Sequence, residues 1–382
     1  MDDKFIIFGS PAIEDAEINE VIDCLKSGWI GTGPKVRRFE KNFLEYKNAK
    51  YAVAVNSCTA ALHLSLLALG IKQGDEVITS SLTFCSTVNT IIHSGATPVL
   101  ADVDKSTMNI DPEEIEKKIT SKTKCIVPVH MAGRPCEMDK IIEIAKKYDL
   151  FIVEDCAHAI ETKYDGRDAG TFGDFGCFSF YVTKNVVTAE GGMITTNRKD
   201  WADKLKIYAL HGMSRDAWKR YSDAGFKHYE VIVPGFKYNM TDLQASIGIH
   251  QLNRVEKCLS RRIEIWNRYD GAFRDLPVII PVETPRNLVH ARHLYTVLID
   301  RESVGCDRDT FQERMQKQNI GTGIHYTSLH LQPYYCDKYN YKTGDFPATE
   351  YVSERTISLP LGPNMTDEDV SDVINAVKES CH

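Results

Sequence analysis

The chain has 382 residues, room for two to three domains at roughly 150 residues each. Apolar residues make up 43% and charged residues 26%, the balance of a soluble globular protein. With 46 basic against 53 acidic side chains the net charge is −7, which gives no electrostatic drive toward nucleic acid or an anionic membrane. No apolar run approaches the roughly 18 residues of a membrane span, and Met1-Asp2-Asp3-Lys4 opens no secretory leader, so a cytoplasmic protein is expected. The 11 cysteines are odd in number and form no C-x-x-C pair, which argues for reduced core thiols over disulfides or a zinc ribbon.

From about residue 50 to 200, short β-rich runs alternate with helical stretches. The runs are Tyr51–Val55, Glu76–Thr79, Thr97–Ala101, Lys124–Val129, Leu150–Glu154, Gly176–Phe180 and Gly192–Thr196, with helices over Thr59–Leu69, Asp111–Ile119 and Glu137–Tyr148. Most runs are continuously apolar rather than alternating, as in strands buried on both faces of a mostly parallel α/β sheet. The segment Ser214–Lys227, rich in charges and aromatics, reads as a surface excursion. One long helix is expected over about 241–269, capped by Thr241 or Asp242, linking residues 1–250 to a smaller α+β unit over 251–382. In that unit His293–Asp300 reads as a strand and Asp307–Gln318 as a helix, with further elements at Tyr351–Ser358 and Asp367–Lys378.

Three features along this pattern carry chemistry. The strand at Tyr51–Val55 runs into Asn56-Ser57-Cys58-Thr59-Ala60-Ala61 and a helix; small residues and hydroxyls at a helix N-terminus make a phosphate site. The strand Leu150–Glu154 is followed by Asp155, an acid at the crevice where α/β folds bind ligands. After Phe175-Gly176-Cys177-Phe178-Ser179-Phe180 a turn presents Lys184, which alone reads as a surface charge. Neither G-x-G-x-x-G nor a P-loop is present, which removes the dinucleotide and Walker-type readings. Phosphate cradle, buried acid and lysine on successive parts of one sheet match the needs of pyridoxal 5'-phosphate (PLP): the amine forms the Schiff base and the acid keeps the pyridine nitrogen protonated. Phe84, just after a strand, either covers the ring or packs in the core. His290 and His293 are three apart and His325 and His330 five apart, but no Cys or carboxylate motif accompanies them, and no metal is expected.

The sequence resembles the DegT/StrS-type nucleotide-sugar aminotransferases, PLP enzymes of the aspartate aminotransferase fold (fold type I). The likeness runs through Ser27-Gly28-Trp29-Ile30-Gly31-Thr32-Gly33-Pro34, Gly74-Asp75-Glu76-Val77-Ile78, Gly95-Ala96-Thr97-Pro98-Val99, Glu154-Asp155-Cys156-Ala157-His158-Ala159, Ser179 to Gly192, Gly235-Phe236-Lys237-Tyr238-Asn239 and Gly321-Thr322-Gly323-Ile324-His325. It implies a large domain with a mostly parallel seven-stranded sheet and a smaller C-terminal domain. It also implies roles: Lys184 as Schiff-base lysine, Asp155 as pyridine-nitrogen partner, Thr59, Ala60 and Ser179 as phosphate contacts, Phe84 as stacking aromatic, and His158 beside the cofactor O3′. Lys237 or Asn239 would reach the neighbouring subunit's phosphate in a homodimer with shared sites; Trp29, Ile30, Tyr181 and His325 would contact substrate. The implied reaction moves an amino group from L-glutamate to a keto group, at C4 by this likeness, of a nucleotide-linked deoxysugar in polysaccharide or lipopolysaccharide biosynthesis. The block pattern is most like the branch forming UDP-4-amino-4-deoxy-L-arabinose. The alternatives are a PLP-dependent sugar dehydratase, whose resembling members replace the lysine with histidine, and a non-catalytic regulatory member of the fold, which would lack Lys184, Asp155 or the cradle.

Overall fold

A computed structural model describes residues 4–214 and 229–381; apart from Ser214, the expected excursion Ser214–Lys227 lies outside the described residues. Seven strands form the central sheet: β1 Tyr51–Val55, β2 Glu76–Ser80, β3 Thr97–Ala101, β4 Thr123–Val127, β5 Phe151–Asp155, β6 Phe175–Ser179 and β7 Gly192–Thr196. Their order is β1-β7-β6-β5-β4-β2-β3. Only β7 runs against its neighbours, pairing antiparallel with both β1 and β6. All of β6 and β7 is buried, and β1, β2 and β5 are buried except at their first residues, which is why they read as unbroken apolar runs. The consequence for function is geometric. The C-terminal ends of β1, β2, β4, β5 and β6 share one edge of the sheet, where open α/β sheets place their ligands.

Three local expectations change. β4 ends at Val127, earlier than the expected Val129, because Pro128 has no N–H to donate to the ladder. β5 runs one residue further, so the Asp155 backbone is itself paired, opposite Cys177. The single long helix expected over about 241–269 is two helices, Asp242–Asn253 and Val255–Phe273, broken at Arg254 (φ −112°, ψ 9°). Arg254 is tied down at the break, pairing with buried Glu17 and donating from Nη2 to the Ala12 carbonyl at 2.6 Å. Thr241 is the N-cap, in a reciprocal capping box with Gln244.

The C-terminal part builds a second core. Strands Val278–Ile279, Tyr295–Ile299 and Thr356–Leu359 form an antiparallel sheet. Trp266, Tyr269 and Phe273 of the preceding helix and Val370, Val373 and Val377 of Asp367–Ser380 pack with it. Ile6 joins that core and bridges to Ile320, so the N-terminal segment crosses to the C-terminal unit rather than resting on the sheet. Among the described residues no helix is long and apolar enough to cross a membrane.

Candidate active site

A cavity of about 520 Å³ opens at the sheet edge carrying the strand ends, lined by residues that follow β1, β2, β5 and β6. After β1, Ser57 caps helix Cys58–Leu69: its Oγ accepts the Ala60 N–H at 3.1 Å, and its carbonyl accepts the Ala61 N–H at 3.1 Å. The amides of Cys58 and Thr59 are left as the helix's donors toward the cavity that both residues line. Ala60, expected to touch phosphate, has its N–H engaged by Ser57 and is absent from the cavity wall. Gly192, at the start of β7, makes room for the turn: a Cβ there would lie 2.5 Å from the Ser57 carbonyl carbon.

Asp155 closes β5 and is buried. Its Oδ2 accepts from Thr87 Oγ1 at 2.9 Å and its Oδ1 from the Ala157 N–H at 3.1 Å. Burial pushes its pKa up; those two hydrogen bonds and the Lys184 charge pull the other way. Lys184 lies in the turn after β6, its N–H donating to the Tyr181 carbonyl at 2.9 Å. Desolvation lowers its amine pKa from 10.5 to about 8, against the smaller raising effects of Cys58 and Asp155. Ser179 ends β6 and lines the same wall, as do Tyr181 and His325.

Phe84 is 57% exposed and lines that wall rather than packing in the core. His158 is buried, and burial, followed by the Lys184 charge, holds its pKa well below 6.5. The Ala132 N–H donates to His158 Nδ1 at 3.2 Å, so the neutral ring carries its proton on Nε2 and donates to the Tyr326 hydroxyl at 3.2 Å. Tyr326 thereby keeps its own proton to offer to the cavity it lines. Tyr326, which adjoins His325, is not among the expected site residues, and nothing in the sequence around Thr87 marks it. His325 is also neutral, its pKa lowered to about 3 by burial and then by Lys184, and its Nδ1 lies 2.9 Å from Ser358 Oγ.

Besides Ala60, four expected site residues are not on this wall. Trp29 and Ile30 are exposed, the Trp29 indole lying over Gly33 and donating to the Thr32 carbonyl at 3.2 Å. Lys237 is exposed, its backbone bridged to Leu210. Asn239 donates from Nδ2 to Thr32 Oγ1 at 2.6 Å, and its buried Oδ1 has no partner among the described residues. These residues belong to segments that a single chain leaves outside its own cavity.

Among the described residues, the one grouping with metal-like donors is His130, Glu154 and Cys156, all buried. The Glu154 carboxylate already accepts the N–H groups of Gly170, Phe172 and Gly173 at 2.7–2.8 Å and faces His130 Nε2 at 3.1 Å. It anchors the loop before β6, and thereby the strand that presents Ser179.

The sequence profile of the DegT/DnrJ/EryC1/StrS aminotransferase family matches residues 11–378. The chain belongs to this family. It is 50% identical over 376 residues to the spore coat polysaccharide biosynthesis protein SpsC of Bacillus subtilis, covering 98% of this chain and 97% of that protein. Among solved structures it is similar to Spr1654 of Streptococcus pneumoniae, a proposed sugar aminotransferase, in its PLP form. There the TM-score is 0.92 at 34% identity, over 99% of this chain and 98% of the other. It is also similar to PseC of Helicobacter pylori, an aminotransferase of pseudoaminic acid biosynthesis, with a TM-score of 0.91 at 28% identity over 99% of both chains. The enzyme is thus a PLP-dependent aminotransferase of fold type I. Its cavity fits that cofactor: helix-end donors for a phosphate, a buried carboxylate for a ring cation, and a desolvated amine for an aldehyde.

Proposed function

We propose that the enzyme transfers the amino group of L-glutamate to the C4 keto group of a nucleotide-linked keto-deoxysugar, releasing 2-oxoglutarate and the amino sugar, in the biosynthesis of a surface polysaccharide. The observation that carries this reading is the convergence of Lys184, Asp155 and the Ser57-capped helix end on one cavity of about 520 Å³, roomy enough for a cofactor and part of a sugar. The family's chemistry and the names of SpsC and PseC point to sugars as acceptors. The C4 position and the kinship with the UDP-4-amino-4-deoxy-L-arabinose branch rest on the sequence blocks.

When bound, PLP supplies an aldehyde that carries the amino group and a ring that accepts electrons. The chain's residues do the rest. Cys58 and Thr59 amides, with Ser179, hold the phosphate. Asp155, kept in place by Thr87 and Ala157, meets the ring nitrogen with a carboxylate and keeps it protonated. Phe84 would cover one ring face, and neutral His158, its one N–H given to the Tyr326 hydroxyl, would act beside the ring oxygen through Tyr326. Lys184 Nζ would be the attachment amine and, once freed, the base that moves a proton between the reacting carbons, a role that burial favours by lowering its pKa. A sugar dehydratase of the resembling type would carry histidine at position 184, and a regulatory member would lack this set of residues.

The reading includes a homodimer with composite sites. Ile18, Ile22 and Leu25 are exposed at i, i+4 and i+7 of helix Asp15–Ser27 and run on into exposed Trp29 and Ile30, an apolar stripe that a second subunit would cover. Across that contact Trp29 and Ile30 would meet the substrate in the neighbour's cavity, and Lys237 or Asn239 the phosphate. All 11 cysteines are free thiols, which suits a reducing cytoplasm. The test is a half-reaction screen. Enzyme converted to its pyridoxamine-phosphate form is offered nucleotide-linked keto sugars, and recovery of the visible band of lysine-bound cofactor identifies the acceptor. Recovery with simple keto acids, and with no nucleotide-linked sugar, would overturn the substrate class.

A further inference from the structure

Lys184 and Asp155 have to meet one small molecule at opposite ends. The aldehyde carbon and the ring nitrogen of the cofactor stand para across a rigid ring, so the turn carrying Lys184 and the loop that begins at Asp155 must be held at a matched separation. Side chains that the proposed mechanism does not use join those two segments. Asn185 follows Lys184 directly. Its Nδ2 donates to Glu161 Oε2 at 2.8 Å and to the Ala291 carbonyl at 3.0 Å. Glu161 lies on the loop that leads on from Asp155 through His158. A carbonyl and a carboxylate only accept, which assigns the amide nitrogen to that side and leaves Oδ1 to accept from His293 Nδ1 at 2.9 Å.

Each of these partners is itself held. Glu161 is buried and pairs through its other oxygen with Arg262, also buried, from helix Val255–Phe273. The Ala291 N–H donates to the Gly133 carbonyl at 3.0 Å, and the His293 N–H to the Ala132 carbonyl at 3.1 Å. His293 is buried, and burial, followed by the Lys184 charge, holds its pKa well below 6.5. The ring is therefore neutral, with its single proton on Nδ1 toward Asn185. The Asn185 amide thus gives its N–H groups and its carbonyl to three fixed groups from two other segments. Aspartate at this position would bring no N–H and would set a second charge against Glu161. Such a fully used amide makes a rigid joint.

We propose that Asn185 is a positioning residue for Lys184: clasped by Glu161, Ala291 and His293, it sets where the lysine turn stands relative to Asp155, and so how the amine meets the cofactor aldehyde. Asn185 acts from behind, being off the wall of the cavity that Lys184 lines. It has this role only if Lys184 is the attachment amine, the reading proposed above.

The test follows attachment itself. Cofactor-free enzyme is mixed with PLP, and the lysine-bound band is timed by stopped flow. Binding of pyridoxamine phosphate, which forms no bond to Lys184, reports the rest of the pocket. In Asn185→Ala the attachment rate at saturating PLP is expected to fall about 10-fold, the scale of a misplaced reacting group, with the pyridoxamine-phosphate dissociation constant within about twofold of wild type. His293→Leu is expected to do the same. His293→Asn loses the ring equally but keeps an amide N–H near the Nδ1 position, and is expected to recover the rate to within about threefold. In the double variant Asn185→Ala/His293→Leu the loss is expected to be no larger than in the slower single variant, because one clasp is broken twice. An unchanged rate in Asn185→Ala or His293→Leu overturns the proposal. So do losses that multiply in the double variant, a His293→Asn enzyme as slow as His293→Leu, or pyridoxamine-phosphate binding weakened as much as attachment. If Asn185→Ala does not fold, the two His293 variants decide alone. The reading of Lys184 fails separately, through a wild-type enzyme with no lysine-bound band at all.

Discussion

In the proposed mechanism Lys184 and Asp155 divide the chemistry between an amine that burial makes easier to deprotonate and a carboxyl that burial makes harder to ionise. Lys184→Ala is expected to remove the visible band of lysine-bound cofactor and to cut turnover by ~10³-fold or more, the scale of losing an attachment amine that is also a positioned base. Stopped-flow half-reactions measure both. The shifted amine also sets a pH dependence. Below about pH 8 the amine of the cofactor-free enzyme is protonated and unreactive; above it the free base dominates. The rate of cofactor attachment is therefore expected to climb about tenfold per pH unit below 8 and to level there, rather than climbing on toward the 10.5 of an ordinary lysine. Asp155→Asn keeps the shape but not the charge that holds the ring nitrogen protonated. Its expected signature is a retained visible band with slow turnover, and a rate within about threefold of wild type, under ~1 kcal/mol of barrier, would remove Asp155 from this role.

At the scale of elements, the phosphate end depends on how closely the cap of helix Cys58–Leu69 approaches the sheet. Gly192 permits that approach because it has no Cβ. In Gly192→Ala the new methyl would meet the backbone of Ser57 and Cys58, neither of which can give way without moving the cap. The expected result is a cofactor dissociation constant raised about 10-fold or more, roughly 1.4 kcal/mol, with the far-ultraviolet spectrum unchanged. Equilibrium dialysis of the holoenzyme reads it. The sequence already marked 56–61 as a candidate phosphate turn, since small and hydroxyl residues between a strand and a helix are a local signal. Which amides remain free was not legible there: the division between Ser57 as cap and Thr59 as donor follows from the conformation of one side chain.

For the molecule as a whole, the question is which sites one chain can complete. Lys237 lies off the cavity wall, and in the proposed homodimer it would meet the neighbour's phosphate. Mixing Lys184→Ala with Lys237→Ala protomers tests this. With shared sites each heterodimer has one site carrying both defects and one carrying neither, and activity is expected to return as subunits exchange, measured by coupled assay alongside native mass spectrometry. Exchange without recovery would exclude Lys237 from a shared site.

The strands and their burial were legible because a strand covered on both faces must be apolar along its length, a property of consecutive residues. Lys184 and Asp155 were legible for a related reason: each sits just past or at the end of such a strand, where the edge of any parallel sheet faces ligand. The sequence by itself thus determined the sheet and the cofactor class, and it marked Lys184 and Asp155 as the pair proposed to carry the chemistry. Only the tertiary structure decided what surrounds them. Thr87 reaches Asp155 across 68 positions, and Tyr326 reaches His158 across 168. Arg262 joins Glu161 from a helix of the C-terminal part, and the expected long helix breaks where Arg254 meets Glu17. Such contacts depend on strand order and on where the chain crosses between its two cores, and neither leaves a mark in the composition or spacing of the residues that finally touch.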